Sequence, residues 1–245
     1  SNTKNKMEGF IKRCKNLGWV MWMRGEFDIG ITTTSLNITG FDNEMREFFF
    51  RFRKNIKKKE ISESTGYEEY PWGFLLNKKS KSFFRIAYDG ENAILDKQDK
   101  LILKELMKNA RQNYVTLGRK TNLNYKTVRA RLNNLVKRNI LIGTRVAINP
   151  KSFGKNWYKV LLDINYINKN AAKLIRDYLA NSVEVCYIID NLADNDLDFE
   201  LFADSNESFF KFMDRLQDDF PDMIKDYRFV VLGDSIRFRN VPFDE

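Results

Sequence analysis

Leu95–Arg145 reads LDKQDKLILKELMKNARQNYVTLGRKTNLNYKTVRARLNNLVKRNILIGTR, the most strongly patterned stretch of the 245-residue chain. Asp96 stands before Leu101, Ile102, Leu106 and Met107, which recur at helical spacing, so a first helix capped by that carboxylate is expected to end near Asn109. Val115 to Thr121 supports a second short helix with Val115 and Leu117 inward, and Gly118 suits a close helix crossing. Asn122-Leu123-Asn124 supplies the turn: Asn tolerates the left-handed region better than any residue but Gly, and Asn124 can then cap a third helix. That helix, Tyr125 to Arg138, puts Val128, Leu132, Leu135 and Val136 on one face and leaves Tyr125, Lys126, Arg129, Asn133 and Lys137 on the other. Ile140 to Asn149 is expected to be a strand that closes the unit. The order is that of a helix-turn-helix.

Charge singles out the same stretch. Residues 95–145 hold thirteen Lys and Arg against three Asp and Glu, a net of +10, whereas residues 1–94 carry +5 and residues 146–245 carry −6. A surface that displaces counterions from phosphates needs such concentration, and a major groove accepts the first turn of a recognition helix. Long cations flanking that helix, Arg119, Lys120, Arg129 and Arg131, are the candidates for phosphates, and Asn124, Tyr125, Lys126 and Thr127 for base edges. The same charges also suit a solvated helical bundle, Asn124 and Thr127 also suit plain caps, and Tyr125 also suits packing on a neighbour.

The residues that carry this pattern also carry a resemblance. Leu95-Asp96-Lys97-Gln98-Asp99-Lys100-Leu101-Ile102-Leu103, then Arg131 to Val136, then Asn149-Pro150-Lys151-Ser152-Phe153-Gly154 resemble the leucine-responsive (Lrp/AsnC) transcription regulators. The resemblance runs through the whole unit, with Asn122 standing where the family usually has Gly. It implies double-stranded DNA as partner, and a following ferredoxin-like domain of the RAM type that forms oligomers and senses small amino acids.

The flanking segments repeat one another. Met7–Asn16 (helix), Trp19–Arg24 and Phe27–Thr34 (strands), Asn43–Asn55 (helix) and Ile61–Tyr70 (strand) form one series. Trp157–Tyr166 (strand), Ala171–Ala180 (helix), Val183–Ile189 and Leu197–Ala203 (strands), Glu207–Asp218 (helix) and Ile224–Leu232 (strand) form the other. The second is βαββαβ, a ferredoxin-like order, and the first lacks its opening strand. The expected class is therefore α+β, with a winged, three-helix helix-turn-helix between two RAM-type units. The division runs 1–70, a joining segment 71–94, 95–145 and 146–245. In the joining segment Phe74-Leu75-Leu76 and Phe83-Phe84-Arg85-Ile86 suggest a small hairpin around Asn77–Lys81, with Asp89-Gly90-Glu91-Asn92 as a flexible point. Ser1-Asn2-Thr3 reads as a cloning remnant, and the natural protein is expected to continue upstream with the absent strand.

Within the resemblance the sensing mark is a G-[DE]-[FY]-D turn between the two middle strands. Gly25-Glu26-Phe27-Asp28 fits it, while the second copy has Asn195-Asp196-Leu197-Asp198, so Gly25, Glu26, Phe27, Asp28, Asn195, Asp196 and Asp198 are the candidates for an amino-acid effector. An ordinary hairpin turn accounts for the same residues. Two copies in one chain can pair internally as a pseudo-dimer or with another chain as a homo-oligomer.

Several classes are excluded or disfavoured. There is no His, so His-based zinc sites, imidazole triads and a His general base are ruled out, and no metal or cofactor is expected. Cys14 and Cys186 make no disulfide framework. No apolar run reaches membrane-span length, and the expectation is a cytoplasmic protein that is not an enzyme. Siroheme decarboxylases share the layout of the regulator family, so an enzyme of that kind is the alternative, and an interaction or sensing module that no longer meets DNA is a third.

Overall fold

The computed structural model describes residues 2–14, 17–33, 38–70, 72–75, 78, 83–87, 93–144, 149–165 and 170–238. The C-terminal half is a complete βαββαβ unit: β5 (Asn156–Ile164), α6 (Ala171–Ala180), β6 (Val185–Leu192), β7 (Leu197–Ala203), α7 (Asn206–Asp219) and β8 (Ile224–Phe238). Strand alternation makes it. Tyr158, Val160 and Leu162 of β5 and Leu197, Phe199 and Leu201 of β7 all point to one face, where Ile175, Leu179, Phe209, Phe212, Met213 and Leu216 of the two helices cover them. Each such side chain contributes roughly 1.5–3 kcal/mol on burial. Ser205 starts α7 with a reciprocal capping box to Ser208.

The N-terminal half comprises α1 (Asn2–Arg13), β1 (Leu17–Gly25), β2 (Ile29–Thr33), α2 (Ile38–Phe52) and β3 (Glu63–Glu69). Phe10, Ile11, Phe48 and Phe52 pack its helices onto Leu17 and Val20. The two halves share one eight-stranded sheet of order β2-β1-β8-β5-β7-β6-β3-β4, where β4 is Phe84–Ala87. β1 pairs antiparallel with β8, and β3 pairs antiparallel with β6. If β1, β2 and β3 are matched to β6, β7 and β8, these two junctions are the same junction seen from either half. The chain thus contains its own pseudo-twofold pairing.

β4 extends the sheet beside β3. β8 lies between β1 and β5; its counterpart β3 lies between β6 and β4. The four-residue β4 therefore occupies, beside β3, the place that the nine-residue β5 occupies beside β8. The hairpin expected within residues 71–94 is replaced by this pairing. Gly73–Leu75 is a 3-10 turn instead, with the Trp72 and Phe74 rings 5.0 and 4.8 Å from the Phe202 ring. The expected turn at Asn77–Lys81, apart from Lys78, and the expected flexible point at 89–92 lie outside the described residues.

Between the halves stand α3 (Lys97–Lys108), α4 (Tyr114–Thr121) and α5 (Tyr125–Lys137) around Ile102, Leu103, Leu117, Val128, Leu132 and Leu135. The inward stripe of α3 is rotated from the expected one, because Asp99 is buried on it with Ile102 and Leu103, while Leu101 and Met107 are exposed. Val115 and Val136, expected inside, are also exposed. α5 ends in a Schellman arrangement with Asn139 left-handed, Ile140 N–H donating to the Leu135 carbonyl at 2.9 Å and Asn139 N–H to that of Val136 at 3.0 Å. Of the strand expected over 140–149, residues 141–144 carry none, and residues 145–148 lie outside the described residues.

Candidate nucleic-acid interface

The turn into α5 is built by three asparagines. Asn113 caps α4 by accepting from Thr116 N–H at 2.8 Å, and Asn124 caps α5 by accepting from Lys126 N–H at 2.8 Å. Asn122 sits between them at φ 55°, ψ 43°, the left-handed conformation expected of it. Gly118 serves this turn: a Cβ there would come within 2.5 Å of the Leu123 carbonyl oxygen. The expected close crossing is thus a close approach of the turn to α4.

The candidates for base edges lie together. Asn124, Tyr125, Lys126 and Thr127 are exposed at the first turn of α5, and Arg129 is exposed one turn along the same helix. Arg119 is exposed on the last turn of α4. Among the described residues no ion pair engages Arg119, Lys126 or Arg129. Lys120 is exposed but stands 3.4 Å from Glu105, whose carboxyl is held below the usual range by Lys108 and then Lys120.

Arg131 is placed elsewhere. Its guanidinium donates to Asp96 Oδ2 at 2.7 Å and to Asp99 Oδ1 at 2.8 Å, tying α5 to the start of α3. Asp99 is only 5 % exposed, so this cation neutralises a buried charge, and its expected phosphate role is withdrawn. Asp96 is held below the usual carboxylate range, first by the Asp99 backbone N–H and then by Arg131. The spaced acids of the Leu95–Leu103 motif and its later arginine therefore form one structural clamp.

The two candidate sensing turns differ. Gly25 has φ +118° and abuts β8, where a Cβ would meet the Phe229 carbonyl oxygen at 2.9 Å. Glu26 is paired with Lys58 at 2.9 Å and stands 3.6 Å from Arg228, and Lys58 is the chief reason its carboxyl is held low. Glu26, Phe27 and Asp28 line a large cavity. In the second turn Asp198 is buried and takes Lys159 at 2.6 Å, Asn191 at 2.5 Å and Asn195 in a short hydrogen bond, while Asp196 accepts from Ile164 N–H at 2.7 Å. Every polar side chain of that turn serves the fold.

Comparison with known proteins agrees with the central geometry. Residues 95–142 match the winged helix-turn-helix DNA-binding family. The regulatory protein AsnC of Escherichia coli is 33% identical over 81 residues, 33% of this chain and 51% of that protein. Over this stretch the helix-turn-helix is thus similar to that of an Lrp/AsnC-type regulator. The HTH-type transcriptional regulator Ptr1 of Methanocaldococcus jannaschii is 38% identical over 61 residues, 25% of this chain and 41% of that protein. The chain spans about half the length of the curated relatives it matches.

The Lrp/AsnC likeness extends to the fold of the following unit. The E. coli AsnC structure superposes with a TM-score of 0.53 at 17% identity, over 61% of this chain and 99% of that one. A siroheme decarboxylase, NirDL, solved with an iron-uroporphyrin III analogue, superposes with a TM-score of 0.64 at 10% identity over 99% of this chain and 70% of that one. That match covers both halves, and at such identity it is a likeness of fold. A helix-turn-helix with a ferredoxin-like α+β unit is thus the architecture of residues 95–238. Among the described residues no helix is long and apolar enough to cross a membrane, and Cys14 and Cys186 form no disulfide.

One feature of the sheet is not marked by any motif. On the helix-free face of the sheet, Trp19, Trp157, Tyr187 and Tyr67 follow one another with ring centroids 6.5, 6.3 and 6.1 Å apart. They come from β1, β5, β6 and β3, so only the pairing of the two halves assembles them.

Proposed function

We propose that the protein is a DNA-binding transcription regulator, and not an enzyme, in which the N-terminal turn of α5 reads base edges in a major groove. The observation that carries this is the exposed group Asn124, Tyr125, Lys126, Thr127 and Arg129, held on a turn fixed by Asn122 and left without internal partners for its cations. Arg119, Lys120 and Arg129 take phosphates in this reading. The division into 1–70, 71–94, 95–145 and 146–245 belongs to the same proposal, with the first and last segments acting as an internal pseudo-dimer that senses a ligand. The regulators E. coli AsnC and Ptr1 support the DNA-binding part, and a fold neighbour, a Neisseria meningitidis regulator solved with L-Met, supports the ligand-responsive part.

The test is fluorescence anisotropy of duplex DNA across a salt series. Binding should weaken steeply with salt, and Arg129→Ala should lower the log–log salt slope by about 1. Lys126→Ala should relax sequence preference at one position by about 1–3 kcal/mol. Arg131→Ala should instead loosen the helix-turn-helix itself, seen as a lower melting temperature of the free protein. Salt-insensitive failure to bind any duplex would sink the proposal, and a coloured, tetrapyrrole-bound preparation would turn it toward decarboxylase chemistry.

A further inference from the structure

A cavity of about 1380 Å³ opens beside β1, β5, β6 and β8, larger than the roughly 300–1,000 Å³ usual for small-molecule sites. Trp19, Trp72, Trp157 and Tyr187 line it, each half-buried, and Trp157 and Tyr187 lie nearly parallel at 22°. Met21 and Met23 of β1 add polarizable thioethers to the same lining. Side chains that only closed a core would be buried on both faces; these keep ring surface in the cavity.

The mouth has a sign. Six cations line the cavity against four carboxylates. Pairing engages two of those carboxylates and three of the cations: Glu26 with Lys58 at 2.9 Å, Asp234 with Lys151 at 2.5 Å, and Lys155 with Asp204 at 2.6 Å. Lys151, Lys4 and Arg24 all act to keep Asp234 ionised, so three cations gather about one carboxylate. Arg24 and Lys57 are exposed there.

We propose that this cavity binds a flat aromatic anion, its rings laid on the Trp157–Tyr187 wall and its acid group held at the Arg24 end. A free amino acid fits it poorly, because a single small side chain would leave most of the aromatic wall unpaired. Stacking on such walls is driven by apolar area and ring quadrupoles, and the cations fix which end of the ligand faces out. The inference deepens the ligand-sensing part of the proposed function and is independent of whether the chain meets DNA.

The experiment uses the full chain without DNA and two fluorescent probes of nearly the same shape: 8-anilinonaphthalene-1-sulfonate, and the neutral N-phenyl-1-naphthylamine that lacks its sulfonate. The expected result is saturable binding of the anionic probe at one site per chain, tighter than the neutral one, with quenching of tryptophan emission. Arg24→Glu, at an exposed position, should weaken the anion about fivefold and leave the neutral probe unchanged. Trp157→Ala should weaken both, and Tyr187→Leu, a milder loss of the same wall, repeats that arm if Trp157→Ala fails to fold. Equal affinity for the two probes, indifference to Arg24→Glu, or saturable binding of L-methionine or L-tryptophan with none of either probe would each overturn the proposal. Loss of DNA binding in a separate anisotropy measurement would strike the regulator reading and leave this one standing.

Discussion

The turn between β1 and β2 and the turn between β6 and β7 stand at matching positions in the two halves, and they do different work. In the second half, Asp198 is 2 % exposed and gathers Lys159, Asn191 and Asn195, while Asp196 holds the end of β5. In the first half Glu26, Phe27 and Asp28 line a cavity, with Glu26 held by Lys58 and Arg228 and Phe27 packed on Met21, Val230 and Leu232. Packed beside β5 the second hairpin is a polar knot, whereas the matching first hairpin is a wall of the cavity. Two turns of one repeated frame are thus set apart by what packs against them.

The largest effect that would sharpen this contrast is at the knot. Asp198→Ala removes one carboxylate and leaves a mostly buried Lys159 ammonium and two asparagine amides without their acceptor. A loss of about 3 kcal/mol or more in urea denaturation is expected, since an orphaned charge retains its full desolvation cost. Asp28→Ala, at the matching position of the first half, should cost less than about 1 kcal/mol. Similar losses at the two sites would break the comparison.

Gly25 comes next. It takes φ +118° and lies against the Phe229 carbonyl, so Gly25→Ala combines a disfavoured backbone with a contact of 2.9 Å to an atom that cannot swing aside. About 1–3 kcal/mol should be lost in the same denaturation experiment. The junction of β1 with β8 should weaken with it, seen as faster amide exchange at Val230 and Val231, which pair with Gly25 and Arg24. Unchanged exchange there would mean that the turn is not what joins the halves.

Legibility in the sequence followed sequence distance. The three helices of 97–137, the left-handed Asn122 and the caps Asp96 and Asn124 depend on neighbours a few residues away, and they could be read from spacing. The βαββαβ order of 156–238 was legible for the same reason, in strand alternation and helical stripes. Arg131 was misread because a long cation on a basic helix resembles a phosphate ligand until its acceptors, 32 and 35 residues earlier, are brought beside it. Leu101 was misread because an apolar pattern takes no account of a buried Asp99. The Trp19–Trp157–Tyr187–Tyr67 stripe and the pairing of β4 with β3 had no local signal, because both arise from pairings between residues 15 or more positions apart.

The smallest expected effect is one of pH, and it separates the turns by charge. Lys58 holds the Glu26 carboxyl below its ordinary value, with Arg228 adding to the effect. A depressed carboxylate stabilises the fold above its unfolded pKa, about 4.3 for Glu, and the contribution disappears as pH falls through the lower folded value. Lowering pH from about 5 to 3 should therefore loosen the Lys58–Glu26 tie, and a Glu26→Gln variant should lack that part of the acid sensitivity. Because Glu26 lies at the solvent side of the cavity, protonation also leaves Lys58 less neutralised and makes the cavity more positive. The acid limb should thus tighten an anionic probe in the wild type, by less than about threefold for a screened surface pair, and do so less in Glu26→Gln. If acid tightened the probe equally in both proteins, Glu26 would have no part in setting the charge of the cavity. The first turn would then be as purely structural as the second.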